Sequence, residues 1–351
     1  MVVAFRAELD KRIQAWNKET HEPGEITPQE EFWIEHQRWL ESCGYMLRPR
    51  YHPDWIPSWK SSKKKSYTFE DGQILPPTLA GLMDAKRISD GKLVKLKRVF
   101  KPEHPFEAEI GLYFSSPALK DDPHNHCIPI LDILEVPDVD DLVLLVMPLL
   151  RPYNNPSFVT IGETVDFLKQ ILQVSATRDC TGVNILMDPK DMYPQGYHPM
   201  SILRNWEKDT FAKHRTRTEC PPRYYLADFG LSRKYDPNDE PVLDYPIRGA
   251  DKSVPEFQDE GSFERSDPFA TDIYYLGNMI REDFINRYFG LAFIRPLVEN
   301  MIKKDPSARP SIDQVIQQFQ ASCESLTKNW FEEEKDFQKN YGRISAINCY
   351  V

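Results

Sequence analysis

The sequence predicts a bilobal α+β protein, in which a helical extension and a small strand-rich lobe precede a larger helical lobe. Three features carry this prediction. Residues 92–100 alternate charged and apolar side chains, as a half-buried strand does. Apolar runs at 128–134 and 142–147 predict two further strands. Farther along the chain, apolar residues recur at helical spacing, over about 161–173, 271–285, 291–304 and 311–326.

The composition sets the broad class of the protein and argues against several functions. With 351 residues, 40% of them hydrophobic and 28% charged, the chain is globular and long enough for two lobes. A net charge of −10 argues against nucleic acid and anionic membranes as partners. Six cysteines without a C-x-x-C pair argue against a zinc site and indicate a reducing compartment. We therefore expect an intracellular protein, cytoplasmic or nuclear, without a signal peptide or a membrane span.

Residues 1–66 are expected to form the extension. Apolar residues recur at helical spacing over residues 3–16. The sequence Thr-Pro-Gln-Glu at 27–30 is a capping box that starts a second helix, which is expected to end near Gly44. Prolines then punctuate an extended stretch at 48–59. The aromatic residues of this piece are expected to pack on a lobe rather than to bind a ligand.

The strand-rich lobe is expected over residues 67–150 and the helical lobe over 151–325, with a tail at 326–351. Pro105 starts a short helix among the predicted strands. An excursion rich in proline, tyrosine and basic residues interrupts the helical lobe at about 189–222. Such a segment either contacts a partner or substrate, or is a surface excursion without a function.

The polar residues that carry chemistry occur in a particular order. Asp179 is followed by Asn184, and Asp228-Phe229-Gly230 comes later, after an apolar run at 224–227 that predicts a buried strand. Phosphoryl transfer needs a carboxylate that orients the hydroxyl group, and an Asn and an Asp that hold Mg²⁺ on the triphosphate. Asp and Asn are also ordinary turn residues. Turn preference, however, does not explain their joint order with Asp228.

Over residues 75–320 this order resembles that of eukaryotic protein kinases, and the chain looks most similar to a divergent fungal subgroup of kinase-like proteins. The resemblance implies a protein-kinase-like fold and the cofactors ATP and Mg²⁺. The likeness to the subgroup lies in Pro-Arg-Tyr at 49–51, Asp-Gly-Lys-Leu-Val-Lys-Leu-Lys at 90–97, Asn-His-Cys-Ile-Pro-Ile at 125–130 and Val-Met-Pro-Leu-Leu-Arg-Pro-Tyr at 146–153.

The resemblance implies a role for each residue that matches a kinase motif. Lys97 ends Val-Lys-Leu-Lys and matches the lysine that binds the phosphates, and Glu109 matches its helical partner. Asp179 matches the catalytic base. Asn184 and Asp228 match the two Mg²⁺ ligands.

Two further sets of residues match kinase motifs. Met147 corresponds to the gatekeeper, although plain core packing explains it as well, and Leu149 and Leu150 lie in the hinge that contacts adenine. Val-Pro-Glu at 254–256 and Arg309 match two motifs whose Glu and Arg pair with each other. We therefore predict a buried ion pair between Glu256 and Arg309.

The phosphate-binding loop departs from the kinase pattern. Residues 75–85 contain one glycine and two prolines where a glycine-rich loop is expected. Backbone amides approach phosphates most closely where no Cβ intrudes, and proline has no amide hydrogen to donate. The grip on phosphate is therefore expected to be weaker.

The catalytic segment departs as well. Thr177 stands in place of a histidine, and Thr181 in place of the lysine that neutralises the transferred phosphoryl group. About eight residues are missing between Gln173 and Arg178, which is roughly two helical turns. Either Asp179 is displaced from the metal site, or the sequence comes from a faulty gene model.

The expected function is ATP- and Mg²⁺-dependent phosphoryl transfer to a protein hydroxyl, of the serine/threonine type and with impaired activity. The partner would be an unidentified protein substrate, and the protein a monomer. Two alternatives remain open. One is a pseudokinase that acts as a binding or scaffold module, and the other is a non-functional product of a faulty gene model.

Overall fold

The computed structural model combines helices with a curled antiparallel sheet, which agrees with the predicted α+β class. The chain divides into two compact units. The first comprises Met1–Asp122, Cys127–Arg151 and Asp188–Arg215, and the second Pro123–His126, Pro152–Met187 and Thr216–Val351. Within the described part of the chain, no helix has the length and apolar character to cross a membrane. The structure describes residues 2–19, 21–22, 24–173, 181–207, 210–236, 241–245, 251–258 and 264–324.

The first unit is built on a five-stranded antiparallel sheet with strand order β1-β2-β3-β5-β4. Its strands are β1 (Tyr45–Met46), β2 (Leu82–Arg87), β3 (Leu93–Phe100), β4 (Asp132–Glu135) and β5 (Leu142–Pro148). Its helices are α1 (Val2–Trp16), α2 (Pro28–Glu35), α3 (Gln37–Ser42) and α4 (Glu107–Phe114).

Two of these elements differ from their predicted bounds. The strand predicted at 128–134 begins only at Asp132, because Pro129 has no amide hydrogen and the Ile130 amide donates to Ser115 Oγ at 2.8 Å. The second predicted helix is broken at His36 into α2 and α3. A ring nitrogen of His36 lies 2.7 Å from the Phe32 carbonyl oxygen, where it competes with the helical amide for that acceptor.

The two faces of the sheet have different coverings. Val94 and Leu96 of β3 lie on one face, which we call the extension face, and there they pack in one buried cluster with Trp33 of α2 and Leu40 of α3. Because side chains alternate along a strand, Lys95 and Lys97 project from the opposite face, which we call the lysine face. The extension of residues 1–66 is thus part of the core of the first unit.

A fully buried ion pair between Arg50 and Glu30 anchors the extension. Arg50 Nε and Nη2 donate to the two Glu30 carboxylate oxygens at 2.7 and 2.8 Å. Glu30 also accepts hydrogen bonds from the Thr27 amide at the start of α2 and from the Leu75 amide. Further Arg50 donors reach the carbonyl oxygens of Gly24, Glu25 and Asp71. One pair of side chains therefore joins the helix start to segments far along the chain.

The excursion predicted at about 189–222 also packs within the first unit, over residues 188–215. The Arg151 guanidinium lies 4.4 Å from the Tyr193 ring centroid and 4.6 Å from that of Tyr197. His198 is buried, and its Nε2 lies 3.4 Å from Glu70 Oε1. These contacts tie the excursion to the end of the sheet and to the extension.

Among its described residues, the second unit contains a small sheet with a short antiparallel ribbon, and four α-helices. In the ribbon, β7 (Ile185–Met187) pairs with β8 (Tyr224–Leu226). The strand β6 (Arg151–Pro152) lies next to β7 in the same sheet. The residue after β6 is Tyr153, whose amide donates to the Ile185 carbonyl oxygen. The Arg217 guanidinium packs among aromatic residues of this unit. It donates to Tyr153 O at 2.6 Å and lies 4.1 Å from the Phe158 ring centroid. The helices are α5 (Ile161–Leu172), α6 (Pro268–Ile280), α7 (Arg295–Met301) and α8 (Ile312–Glu324).

The predicted ion pair between Glu256 and Arg309 is confirmed. Both guanidinium nitrogens at the tip of Arg309 bond the carboxylate, at 2.8 and 2.7 Å. The Arg309 side chain is fully buried and that of Glu256 is 11% exposed. Burial raises the pKa of Glu256, but the hydrogen bonds and charge of Arg309 outweigh it, so this pKa lies below its usual value. The pair stabilises the second unit when Glu256 is ionised.

We predict that Arg50→Met lowers the free energy of unfolding by about 3–5 kcal/mol, because it leaves the buried Glu30 carboxylate without its counter-ion. Urea unfolding followed by tryptophan fluorescence measures the change. Arg38→Met is the matched control, since Arg38 and Asp54 form an exposed pair at 3.5 Å. Equal stability of the two variants would contradict this role for Arg50.

We predict a pH-dependent effect of Arg309→Met. A carboxylate whose pKa is depressed in the folded state stabilises the protein above its unfolded pKa, and this stability is lost as pH falls through the folded pKa. The wild type should therefore exceed the variant by about 3–5 kcal/mol at neutral pH. The difference should shrink below the ordinary glutamate range. A difference that does not change with pH, measured by urea unfolding, would refute the assignment.

Candidate functional site

Lys97 lies in the middle of β3, opposite Leu145 of β5. Its Nζ is 2.5 Å from Glu107 Oε1. The side chain of Lys97 is 17% exposed and that of Glu107 2%, so this ion pair is largely shielded from water. Glu107 opens α4, where the helix dipole also favours a negative charge. The pair fixes the position of the ammonium group on the lysine face.

The carboxylate beside Lys97 is thus two residues earlier than the one the sequence suggested. Glu109 was the predicted partner, and it lies exposed in the same helix. Residues two positions apart in a helix point in nearly opposite directions. The motif spacing located the helix correctly, but not the side of it that faces β3.

The residues predicted to contact adenine lie at the end of β5. Met147 is buried and stands opposite Lys95 of β3. The Leu149 amide donates to the Leu93 carbonyl oxygen at 3.3 Å, so this amide is already used. Leu149 and Leu150 are half-buried. The backbone of Leu150 has no hydrogen bond among the residues that the structure describes, and it keeps both a donor and an acceptor for a ligand.

The segment that replaces the glycine-rich loop uses its amides internally. Residues 47–81 separate β1 from β2 and contain several short 3₁₀ turns. In the last of these turns the amides of Leu79 and Ala80 donate to the carbonyl oxygens of Pro76 and Pro77. These two donors are therefore not available for phosphate, as the composition of the segment indicated.

A group of charged residues near Lys97 was not predicted from the sequence. Asp84 of β2 stands opposite Lys95, and its Oδ2 lies 2.9 Å from Arg48 Nε. Asp84 and Arg48 are both buried. Arg48 Nη1 is in turn 3.5 Å from Glu70 Oε1. The alternation of charges in β3 was the only available signal, and it predicted a strand rather than a site.

In the second unit the ribbon brings the two predicted Mg²⁺ ligands to one end. Asn184 immediately precedes β7, and Asp228 follows β8 after one intervening residue. Ile185 pairs with Leu226, and the Ala227 amide donates to the Asn184 carbonyl oxygen at 2.8 Å. Asn184 and Asp228 are therefore near neighbours across the ladder, as their predicted role requires.

Asp228 has an uncommon backbone conformation. Its φ is 72°, in the left-handed region that non-glycine residues rarely adopt. Asp138 and Asp141 share this feature among the described residues, and both lie in the turn between β4 and β5. Asp228 Oδ1 accepts a hydrogen bond from the Gly230 amide, and Phe229 is buried beside it. Strain of this kind persists where the surroundings fix a side chain, and it is frequent at binding sites.

The donor set at this end of the ribbon fits Mg²⁺. An asparagine oxygen and a carboxylate are hard ligands, and Mg²⁺ is usually held by one or two carboxylates together with phosphate oxygens and water. Among the described residues, no three His, Cys, Asp or Glu side chains are grouped to hold a metal ion. A divalent ion here would thus draw most of its ligands from phosphate and water.

The catalytic segment is described only at its two ends. Gln173 caps the end of α5, and Thr181, at the position where protein kinases have a lysine, is buried. A Cβ at Gly182 would lie 3.1 Å from Asp283 Oδ2, so glycine permits this close approach. Thr177 and the predicted base Asp179 lie outside the described residues. Displacement of Asp179 therefore remains a prediction.

Comparison with known proteins does not identify a family. No family model matches the sequence, and no curated protein matches it significantly.

We predict that Glu107→Gln lowers the free energy of unfolding by about 1–3 kcal/mol, because it removes the carboxylate that shields the half-buried Lys97 ammonium. Glu109→Gln is the matched control in the same helix and should have little effect, since Glu109 is exposed. Urea unfolding of the two variants measures the difference. If Glu109→Gln lowered the free energy of unfolding more than Glu107→Gln, Glu109 would be the partner of Lys97, as the motif suggested.

Proposed function

We propose that this protein is a protein-kinase-like protein that binds Mg²⁺ and ATP and in which phosphoryl transfer is impaired. In this proposal the first unit is the small lobe and the second unit the large lobe. Lys97 holds the phosphates, the chain around Leu150 holds the adenine, and Asn184 with Asp228 holds the metal ion. The protein acts inside the cell on a protein partner, as a monomer.

The geometry of Asn184 and Asp228 is the observation that carries this proposal. Two residues with oxygen donors stand at one end of the β7–β8 ribbon, and one of them, Asp228, has a φ of 72°. The Asp228 side chain is exposed whereas its neighbour Phe229 is buried, and the hydrogen bond from the Gly230 amide helps to hold the carboxylate at the surface. A carboxylate held in position at the surface, next to an asparagine, suits a hydrated divalent ion.

The Lys97–Glu107 ion pair supports the phosphate-binding part of the proposal. A lysine that is anchored by a carboxylate presents its ammonium in a fixed direction, so little side-chain entropy is lost when phosphate binds. In kinases the same kind of pair must form before transfer occurs.

Two features favour binding over transfer. Thr181 brings no positive charge to the position where kinases neutralise the transferred phosphoryl group. The amides of Leu79 and Ala80 are used within their own turn. A pseudokinase that binds a partner and ATP is therefore favoured over an efficient enzyme. Magnesium, when bound, would neutralise phosphate charge, and the chain itself would orient the nucleotide.

We predict that saturating Mg-ATP raises the melting temperature of the wild type by about 5 °C. Ligand at a hundredfold excess over its dissociation constant contributes about 2.7 kcal/mol, and each kcal/mol corresponds to about 2 °C in a chain of this size. Asp228→Asn should remove the Mg²⁺-dependent part of the shift, and Lys97→Met should reduce the remainder. Lys101→Met is the control, since Lys101 pairs with Glu135 at the exposed end of β3.

If millimolar Mg-ATP does not raise the melting temperature of the folded wild type, the proposal is ruled out.

If Mg-ATP does bind, phosphate transfer to a generic substrate decides between an active kinase and a pseudokinase. We expect no transfer above the level of the Asp179→Ala variant. Transfer well above that level would show that the protein is an active kinase.

A further inference from the structure

A second lysine, Lys95, lies on the lysine face two residues before Lys97. The two side chains leave the strand in the same direction, about 7 Å apart along β3. Lys95 stands opposite Asp84 of β2 on one side and opposite Met147 of β5 on the other. It therefore lies between the hinge end of the sheet and Lys97.

The surrounding charges leave Lys95 without a direct counter-ion. The Lys95 side chain forms no hydrogen bond or ion pair with any residue that the structure describes. Its nearest acidic neighbour across the strands is Asp84, and that carboxylate contacts Arg48 at 2.9 Å. Glu70 also contacts Arg48, at 3.5 Å, and Glu107 contacts Lys97.

Lys95 is half-buried, and partial burial of an ammonium group is unfavourable in the absence of an anion. Burial lowers the pKa of Lys95, attraction to Asp84 opposes that change in part, and Arg48 adds to it. An anionic ligand on the lysine face would supply the missing partner through a charge-assisted hydrogen bond. Arg48 cannot take this role, because it is buried against Asp84.

Donors for phosphate are few elsewhere in this part of the sheet. Residues 75–85 have one glycine, and two of their amides close a 3₁₀ turn. A lysine side chain that projects from the lysine face can donate to phosphate in place of those backbone amides. We propose, on the premise of the nucleotide site described above, that Lys95 is a second phosphate-binding lysine that acts beside Lys97 in place of the glycine-rich loop.

Calorimetric titration with three probes tests this role: Mg-ATP, adenosine and Mg-tripolyphosphate. Lys95→Met should weaken Mg-ATP and Mg-tripolyphosphate about tenfold, which corresponds to about 1.4 kcal/mol. The same variant should bind adenosine as the wild type does, because adenosine carries no phosphate. Lys92→Met is the matched control, since Lys92 lies exposed immediately before β3 and its Nζ lies 3.4 Å from Asp90 Oδ2. It should bind all three probes normally.

The possible outcomes separate this inference from the proposed function. If the wild type binds Mg-ATP and Lys95→Met binds it equally well, the second lysine has no role in binding. If Lys95→Met weakens adenosine as much as Mg-ATP, Lys95 contacts the base and the inference is wrong. If the wild type binds neither Mg-ATP nor Mg-tripolyphosphate, the proposed function and the inference fail together. Lys95→Gln repeats the test should Lys95→Met not fold, and Lys95→Arg should retain binding.

Discussion

The pair of Arg50 and Glu30 is the interaction on which the first unit depends. The apolar face of an antiparallel sheet needs a cover, and here the extension supplies it through Trp33 and Leu40. The fully buried ion pair holds that cover to the chain around Leu75. Because the extension covers the face that carries Val94 and Leu96, Lys95, Lys97 and Asp84 project from the opposite one. The lysine face is therefore the side of the sheet on which these charged groups are found.

Short-range sequence patterns predicted the helix start and the strand that depend on residues close together in the chain. The Thr27–Glu30 capping box located the start of α2, and alternation located β3. The Glu256–Arg309 pair joins residues far apart in sequence, and only the order of motifs could predict it. The partner of Lys97 was misplaced by two residues, because motif spacing does not fix the rotation of a helix about its axis.

The features that the sequence did not predict depend on which strands are neighbours. Asp84 meets Lys95 because β2 pairs with β3 in one particular register, and a shift of one residue would place them on opposite faces. Arg151 meets Tyr193 and Tyr197 because the excursion returns to the sheet end. No property of the excursion's own composition indicates where it packs. Tertiary pairing, rather than propensity, decided these contacts.

A crystal structure grown with Mg²⁺ and a non-hydrolysable ATP analogue is the most direct test of the account. We expect phosphate oxygens within hydrogen-bonding distance of Lys97 and a metal ion bound to Asn184 and Asp228. An analogue bound at another surface, or crystals without the analogue at saturating concentration, would contradict the assignment of this chain as a nucleotide-binding protein.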